Sequence, residues 1–179
     1  MKGATIWFTG LPCSGKTTVA DRVYDILKEK GYKVERLDGD IIRKSPISRD
    51  LGFTREDRRK NLERVAFIAK LLSRNDVLVL ATFVSPYNEI RRDIRDIIGK
   101  ERFHLIWTRC PLEVCIARDV KGMYKKALAG EIENFTGVDD PFEEPTDPPA
   151  DLILDTHKES VEESVEKVIA YMKGRGLIE

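Results

Sequence analysis

The sequence predicts an α/β fold, a three-layer sandwich with a parallel sheet between two layers of helix. Three observations predict it. Short apolar and β-branched runs alternate with longer amphipathic stretches along the chain. One run, Val77-Leu78-Val79-Leu80-Ala81, is apolar without a break, the pattern of a strand covered on both faces. Another, Ala4-Thr5-Ile6-Trp7-Phe8-Thr9, reads as a buried strand and leads directly into the glycine-framed stretch Gly10-Leu11-Pro12-Cys13-Ser14-Gly15-Lys16-Thr17.

At 179 residues the chain has the length of one domain with a real core, and 1–179 is expected to form a single unit. Its 31 basic and 31 acidic residues balance, so no net field draws it to nucleic acid or to a membrane. Cys13, Cys110 and Cys115 make an odd count without metal-ligand spacing, which suits a reducing cytoplasm better than a disulfide framework. The first strand begins almost at once, so no signal peptide is expected. No apolar run approaches the roughly 20 residues that span a bilayer.

The first helix is expected over 18–30, with Val19, Ala20, Val23, Tyr24, Ile26 and Leu27 inward and Gly31 as its C-cap. Residues 32–37 read as the second strand, ending in Asp38-Gly39-Asp40. Pro46 and Gly52 break residues 44–53 into an irregular connection. Thr54 then starts a helix with an acid at the capping-box position, running to about Arg74 with Leu62, Val65, Ala66, Ala69 and Leu72 inward. Spacing alone places Arg58 and Asn61 on neighbouring, solvated surface.

After the strand at 77–81, Pro86 suits the first turn of a helix whose inner face is Ile90, Ile94 and Ile97. Residues 103–107 form another strand, and Pro111 opens a helix carrying Val114, Cys115 and Ala117. Residues 120–149 then lose periodicity: lysines cluster beside glycines, and acids and prolines follow. Such a segment is either a mobile active-site lid or a solvated loop. Residues 151–155 and 159–173 read as the last strand and the closing helix.

Strand, glycine frame, lysine, hydroxyl and helix together give the context that a phosphate-binding loop requires. Residues Gly10 to Thr18 would wrap a triphosphate with inward N–H groups, and the helix N-terminus would favour its charge. Lys16 would reach the β- and γ-phosphates, and the Thr17 hydroxyl would ligate Mg²⁺. No Asn-Lys-x-Asp signature is present, which argues against a regulatory GTPase, and the chain is short for a motor. What remains is an ATP-dependent kinase of a small molecule. Asp38 and Asp40 stand at the carboxyl end of a strand, where ligands of open sheets gather. Asp40 could hold Mg²⁺ through water or take the proton of an attacking hydroxyl, with Arg43 as a phosphate partner. The residues alone do not identify the acceptor.

A longer ordered set of segments narrows it. They are Leu37-Asp38-Gly39-Asp40-Ile41-Ile42-Arg43, Asp50-Leu51-Gly52-Phe53 with Asp57-Arg58 and Asn61, Val84-Ser85-Pro86-Tyr87, and Pro111-Leu112-Glu113-Val114-Cys115. Arg118-Asp119-Val120-Lys121-Gly122-Met123-Tyr124-Lys125-Lys126-Ala127, Gly130-Glu131-Ile132 and Phe135-Thr136-Gly137-Val138-Asp139-Asp140-Pro141-Phe142 complete the series. This set resembles the adenylylsulfate kinase family of P-loop kinases over nearly the whole chain. Ile41, where many members carry Asn, and a 43–53 linker a residue longer are departures from the pattern.

The resemblance implies a P-loop nucleoside-triphosphate hydrolase fold of nucleotide-kinase type. It also implies transfer of phosphate from ATP to the ribose 3′-hydroxyl of adenosine 5′-phosphosulfate (APS), giving 3′-phosphoadenosine 5′-phosphosulfate (PAPS) in sulfate assimilation. Phe53 and Phe135 would sandwich the APS adenine, and Arg43 and Arg58 would hold the phosphosulfate. Asp38, Asn61, Val84, Ser85 and, on lid closure, Lys121 would complete the pocket. Arg118 would pack on the ATP base, and Asp40 would orient and deprotonate the hydroxyl. Ser85 occupies the family's phosphoserine position. Direct transfer is nonetheless the expectation, because no His accompanies Ser85 to activate it; His104 and His157 are assigned to packing or surface. A homodimer, with a separate ATP sulfurylase as functional partner, is also implied. The alternatives are a kinase of another small hydroxyl metabolite, such as gluconate or shikimate, and a silent nucleotide-binding regulator.

Overall fold

Strands without polar interruption belong where both faces are covered, and here they occupy the middle of the sheet. The computed structural model describes residues 2–179. Strands β1 (Ala4–Thr9), β2 (Val34–Asp38), β3 (Leu78–Thr82), β4 (Phe103–Arg109) and β5 (Leu152–Asp155) form one sheet in the order β2-β3-β1-β4-β5. Every pairing is parallel. All residues of β1 and β3 are buried, whereas the edge strands β2 and β5 are only partly so.

The helices are α1 (Lys16–Glu29), α2 (Gly39–Lys44), α3 (Arg55–Ser73), α4 (Asn88–Ile98), α5 (Leu112–Arg118), α6 (Met123–Leu128) and α7 (Val161–Gly174). Alternation along β1 divides the core. Ile6 and Phe8 face Val19, Val23, Val165 and Val168 of α1 and α7, while Trp7 faces Val65, Ala69, Ile90 and Ile94 of α3 and α4. The chain leaves β1 for the far edge and later crosses back over it to β4. The carboxyl end of β1 is therefore a topological switch point, where open sheets form their crevice.

Helix starts keep close to the sequence pattern. Thr54 caps α3 through the Asp57 N–H at 3.2 Å, but Asp57 returns its own carboxylate to the Gly52 N–H at 2.9 Å, so only half of the box forms. Ser160 and Glu163 make a full capping box on α7.

Several expectations are corrected. The second strand starts at Val34 rather than residue 32 and ends at Asp38, and Gly39-Asp40 opens the short helix α2. Pro86 precedes the first turn of α4, for which Tyr87 is the N-cap. On α4 it is Ile98, not Ile97, that is fully inward. Ala117 is exposed, because α5 buries only Cys115 completely. Arg58 and Asn61, read from spacing as solvated, are buried. Arg91 is wholly buried on α4 although its neighbours gave no sign of it.

Arg91 fastens the chain at Glu143 to the start of α4. Its guanidinium donates to the Ser85 carbonyl (Nε, 2.8 Å), to Asn88 Oδ1 (Nη1, 2.9 Å) and to the Glu143 carbonyl. Burial pushes its pKa down to about 10. The Glu143 N–H donates to the Pro86 carbonyl at 2.8 Å, and Asn88 accepts from Thr146, so 143–146 are fastened to the front of α4. Arg91→Met would leave the Glu143 carbonyl without its guanidinium donor and the Ser85 carbonyl with only the longer bond from Thr9 Oγ1 at 3.3 Å. It should lower stability by about 2–3 kcal/mol, seen as a fall in the urea midpoint at unchanged slope.

Candidate active site

Between β1 and α1 the chain must reverse around a space lined by amides. At Gly10 a Cβ would lie 2.4 Å from Thr108 Oγ1 and 2.6 Å from Ser14 Oγ, so only glycine fits. Gly15 takes the left-handed conformation at φ 99°, the N-cap of α1. Helices α2, α3 and α7 have side-chain caps from Asp38, Thr54 and Ser160, but α1 has none and no acid in its first turn. The first N–H groups of α1 are thereby left for an anion.

The carbonyls of this loop are each anchored. Lys16 Nζ donates to the carbonyls of Gly10 and Leu11, both at 2.8 Å. The Pro12 carbonyl accepts from Tyr124 Oη at 2.8 Å, that of Cys13 from Arg118 Nη1 at 3.2 Å, and that of Ser14 from Thr156 Oγ1 at 2.7 Å. Ser14 Oγ and Thr108 Oγ1 are hydrogen-bonded at 2.7 Å, which ties the loop to the end of β4. Burial pushes the Lys16 ammonium down to about 8, against the upward pull of neighbours that include Asp40 and Asp38. Thr17 and Thr18 are exposed at the helix mouth, and the Thr17 hydroxyl takes no hydrogen bond among the described residues.

The residues assigned to the acceptor pocket lie across the mouth of this loop in three groups. In the first, Asp38 Oδ2 caps α2 through the N–H groups of Asp40 (3.0 Å) and Ile41 (3.2 Å), which leaves the Asp40 carboxylate exposed. There it is ion-paired with Lys121, whose pKa is raised by that hydrogen bond. Lys121, from the segment after α5, thus stands on Asp40 in this structure.

In the second group, Arg43 lies with its guanidinium 4.4 Å above the Phe53 ring and donates to the Gly52 carbonyl. Its pKa is lowered by burial and by the like charge of Arg58, so two guanidinium groups share one neighbourhood. In the third, Arg58 Nη1 donates to Thr136 Oγ1 at 2.7 Å and Nη2 to the Asn134 carbonyl, with Asp140 3.5 Å away. Asn61, one helical turn on, buries its Oδ1 without a partner. Ile41 is 69% exposed, on the solvent side of α2.

The structure keeps the two phenylalanines in separate contacts. Phe53 packs under Arg43, and Phe135 meets Tyr124 edge-on with centroids 5.0 Å apart. Ser85 is 2% exposed. Its Oγ accepts from Trp7 Nε1 at 3.0 Å and lies 3.0 Å from Thr9 Oγ1 and from the Phe83 carbonyl. The Val84 carbonyl is taken by Thr9 Oγ1 at 2.7 Å. His104 is hydrogen-bonded to Tyr171 at 2.7 Å away from this end of the sheet, in keeping with a packing role.

Sequence reasoning missed Tyr124, Thr156, Thr108 and Asp139 as residues that shape the site. Thr108 and Thr156 lie at or just beyond the carboxyl ends of β4 and β5, and the rule that picked out Asp38 could have found them. Asp139 accepts from the N–H groups of Asn134 and Phe135, both at 2.7 Å, a contact that no spacing announces.

Comparison with known proteins agrees with this geometry. The family model described as adenylylsulphate kinase matches residues 2–155. The adenylyl-sulfate kinase of Halothermothrix orenii is 56% identical over 177 residues, covering 99% of this chain and 93% of that protein. The Mycobacterium tuberculosis APS kinase CysC, solved in complex with AMPPNP and APS, superposes with a TM-score of 0.90 at 40% identity, covering 96% of this chain and 98% of that one. A gluconokinase from Sinorhizobium meliloti shares the fold alone, at 15% identity with a TM-score of 0.64 over 96% of this chain and 93% of its own. With the phosphate loop, the paired guanidinium groups and the lid segment all in the expected order, the chain belongs to the adenylylsulphate kinase family.

Proposed function

We propose that this protein is an adenylyl-sulfate kinase, transferring the γ-phosphate of ATP to the ribose 3′-hydroxyl of APS to yield PAPS and ADP. The observation that carries the reading is that Arg43, half-buried above the Phe53 ring, and Arg58, buried on α3, are near enough for the charge of one to lower the pKa of the other. Two like charges in one partly buried place call for an anionic acceptor, and each guanidinium fork matches a phosphate or sulfate. A neutral sugar or a single carboxylate would use one fork at most.

The residues then divide by task. The loop from Gly10 to Thr18 takes the triphosphate on its amides, with Lys16 at the β- and γ-phosphates and Arg118 against the base. Phe53 and Phe135 offer flat faces to the APS adenine. Asn61 Oδ1 is buried without a partner, and it would accept from the substrate. Asp40 takes the proton of the attacking hydroxyl, while Lys121 moves from Asp40 to charge that builds up on the transferring phosphate. Among the described residues no cluster of three His, Cys, Asp or Glu could hold a metal. That suits Mg²⁺, which keeps its waters and binds chiefly through phosphates. Thr17 would hold it directly and Asp40 through water, and it would neutralise charge between the phosphates. A homodimer in the cytoplasm, supplied with APS by a separate ATP sulfurylase, completes the proposal. The described helices contain none long and apolar enough to cross a membrane.

Direct in-line transfer is favoured over a phosphoserine carrier. Ser85 Oγ is enclosed by Trp7, Thr9 and the Phe83 carbonyl, and no base touches it.

Three measurements test these assignments. In a coupled ADP-release assay with MgATP, APS should turn over while gluconate and shikimate stay at background. Phe53→Ala should raise KM for APS by about 5- to 100-fold, the worth of one stacking face. Asp40→Asn should lower kcat by about 10²–10⁴. Turnover with gluconate in place of APS would refute the acceptor.

Ser85→Ala should keep at least a tenth of kcat, and labelled ATP should leave no acid-stable phosphoprotein. Stoichiometric labelling of Ser85 would overturn direct transfer.

The Lys16 ammonium gives the third. Its pKa in the folded protein lies below the ordinary 10.5, so the folded state binds fewer protons between about 8 and 10.5. The stability cost is full below pH 8 and is relieved as pH rises. Triphosphate binding pulls that proton back. Affinity for AMPPNP should therefore be level below pH 8 and fall up to about tenfold per unit above it. Calorimetric titration across pH 7–9.5 reads this, and Lys16→Met should bind weakly at every pH.

A further inference from the structure

Of the side chains that anchor the phosphate loop, Tyr124 alone also touches the proposed acceptor pocket. It is fully buried. Its hydroxyl donates to the Pro12 carbonyl at 2.8 Å, and its ring meets Phe135 edge-on at 5.0 Å. The Asp119 carboxylate accepts from the Tyr124 N–H at 2.8 Å, which fixes its place at the start of α6.

The Phe135 side of the contact is rigid too. The Phe135 carbonyl accepts from the N–H groups of Val138 (3.1 Å), Asp139 (3.2 Å) and Asp140 (3.2 Å), while Asp139 holds the N–H groups of Asn134 and Phe135. A Cβ at Gly137 would lie 3.0 Å from Leu112, 3.2 Å from Leu11 of the phosphate loop and 3.7 Å from Tyr124. The turn at 134–140 is therefore one stiff piece, seated on the phosphate loop and on Tyr124 together. The Phe135 ring of this turn packs on the Tyr124 ring, and the Tyr124 hydroxyl is bonded to Pro12, so the three are joined by direct contacts.

We propose that Tyr124 is a positioning residue that couples the nucleotide site to the acceptor site, so that triphosphate and APS each bind more tightly in the presence of the other. The inference rests on Phe135 as a face of the adenine slot. A triphosphate that orders the loop sets the Pro12 carbonyl; the carbonyl sets the phenol, and the phenol sets the Phe135 ring against which the APS base stacks. The coupling runs both ways, because linkage between two equilibria is reciprocal. A residue that merely filled the core would lower both affinities alike, or stability alone, and would leave their ratio untouched.

The test is a binding cycle on the full chain by calorimetry: APS titrated with and without saturating Mg-AMPPNP, and the reverse. The unsubstituted protein should show mutual tightening. Tyr124→Phe, which keeps the ring and removes only the hydroxyl, should reduce that tightening by about three- to tenfold, the worth of one neutral hydrogen bond. The affinity for AMPPNP alone should fall as well, because the hydroxyl also anchors the loop. The tightening factor is a ratio of affinities with and without the partner ligand, and it is read separately from that fall. Phe135→Leu, which leaves the bond to Pro12 intact, should reduce the tightening as well. No mutual tightening in the unsubstituted protein would overturn the proposal, as would a factor unchanged in Tyr124→Phe. If APS fails to bind even with AMPPNP in place, it is the acceptor assignment that fails, and the coupling falls with it.

Discussion

A peptide unit cannot turn its N–H one way without turning its carbonyl the other. The geometry of this site depends on that constraint. From Gly10 to Ser14 every carbonyl is held by a side-chain donor: Lys16, Tyr124, Arg118 and Thr156. Those four come from α1, α6, α5 and the loop after β5, so the concave array of amides is assembled by distant parts of the chain. The sheet order brings these donors together, because β1 lies between β3 and β4 and its carboxyl end faces the segments that leave the neighbouring strands. Fold and phosphate site are one piece of engineering in this sense: the crossover that builds the sheet also delivers the groups that aim the loop.

The acceptor side is built on the opposite principle. There the charges are only partly neutralised. Arg43 and Arg58 sit close enough for the charge of one to depress protonation of the other, and their partners are mostly carbonyls and a hydroxyl. Lys121 rests on Asp40, the Asp140 carboxylate lies 3.5 Å from Arg58 with Asp139 also within its field, and Asp57 acts on Arg43. Such a pocket is held in tension by its own like charges, and an oxyanion relieves it. That is a physical reason for an anionic acceptor beyond the resemblance in motifs.

Much of this was legible in the sequence, for identifiable reasons. The phosphate loop and its flanks are local: strand, turn and helix are adjacent, so spacing alone put Gly10, Lys16 and Thr17 around one turn. Unbroken apolar runs placed β1 and β3 at the centre. What periodicity missed was set by distant contacts. Arg58 and Asn61 look like surface on a helix wheel, yet the turn at 134–140 covers them. Arg91 breaks the polar pattern of α4 because its guanidinium finds carbonyls from two other segments. Asp38-Gly39-Asp40 marks a strand end by pattern, and Gly39 and Asp40 start a helix because Asp38 caps the N–H groups of Asp40 and Ile41. The family resemblance supplied roles for Phe53, Arg58 and Lys121 that no local rule would give, and it was silent on the anchoring done by Tyr124, Thr108 and Thr156.

The fastening of residues 143–146 to α4 has a consequence for how the site opens. Arg118 and Tyr124 moor one end of the intervening segment to the phosphate loop, and Arg91 and Asn88 moor the other. What lies between is a strap buckled on both sides, not a door on a single hinge. A strap has few ways to be slack, since loop entropy grows only with the logarithm of its length. Tightening it over an acceptor therefore costs little disorder, and releasing it gains little. Traffic through the site would then be set by how firmly each molecule grips the strap rather than by a wide excursion of the protein.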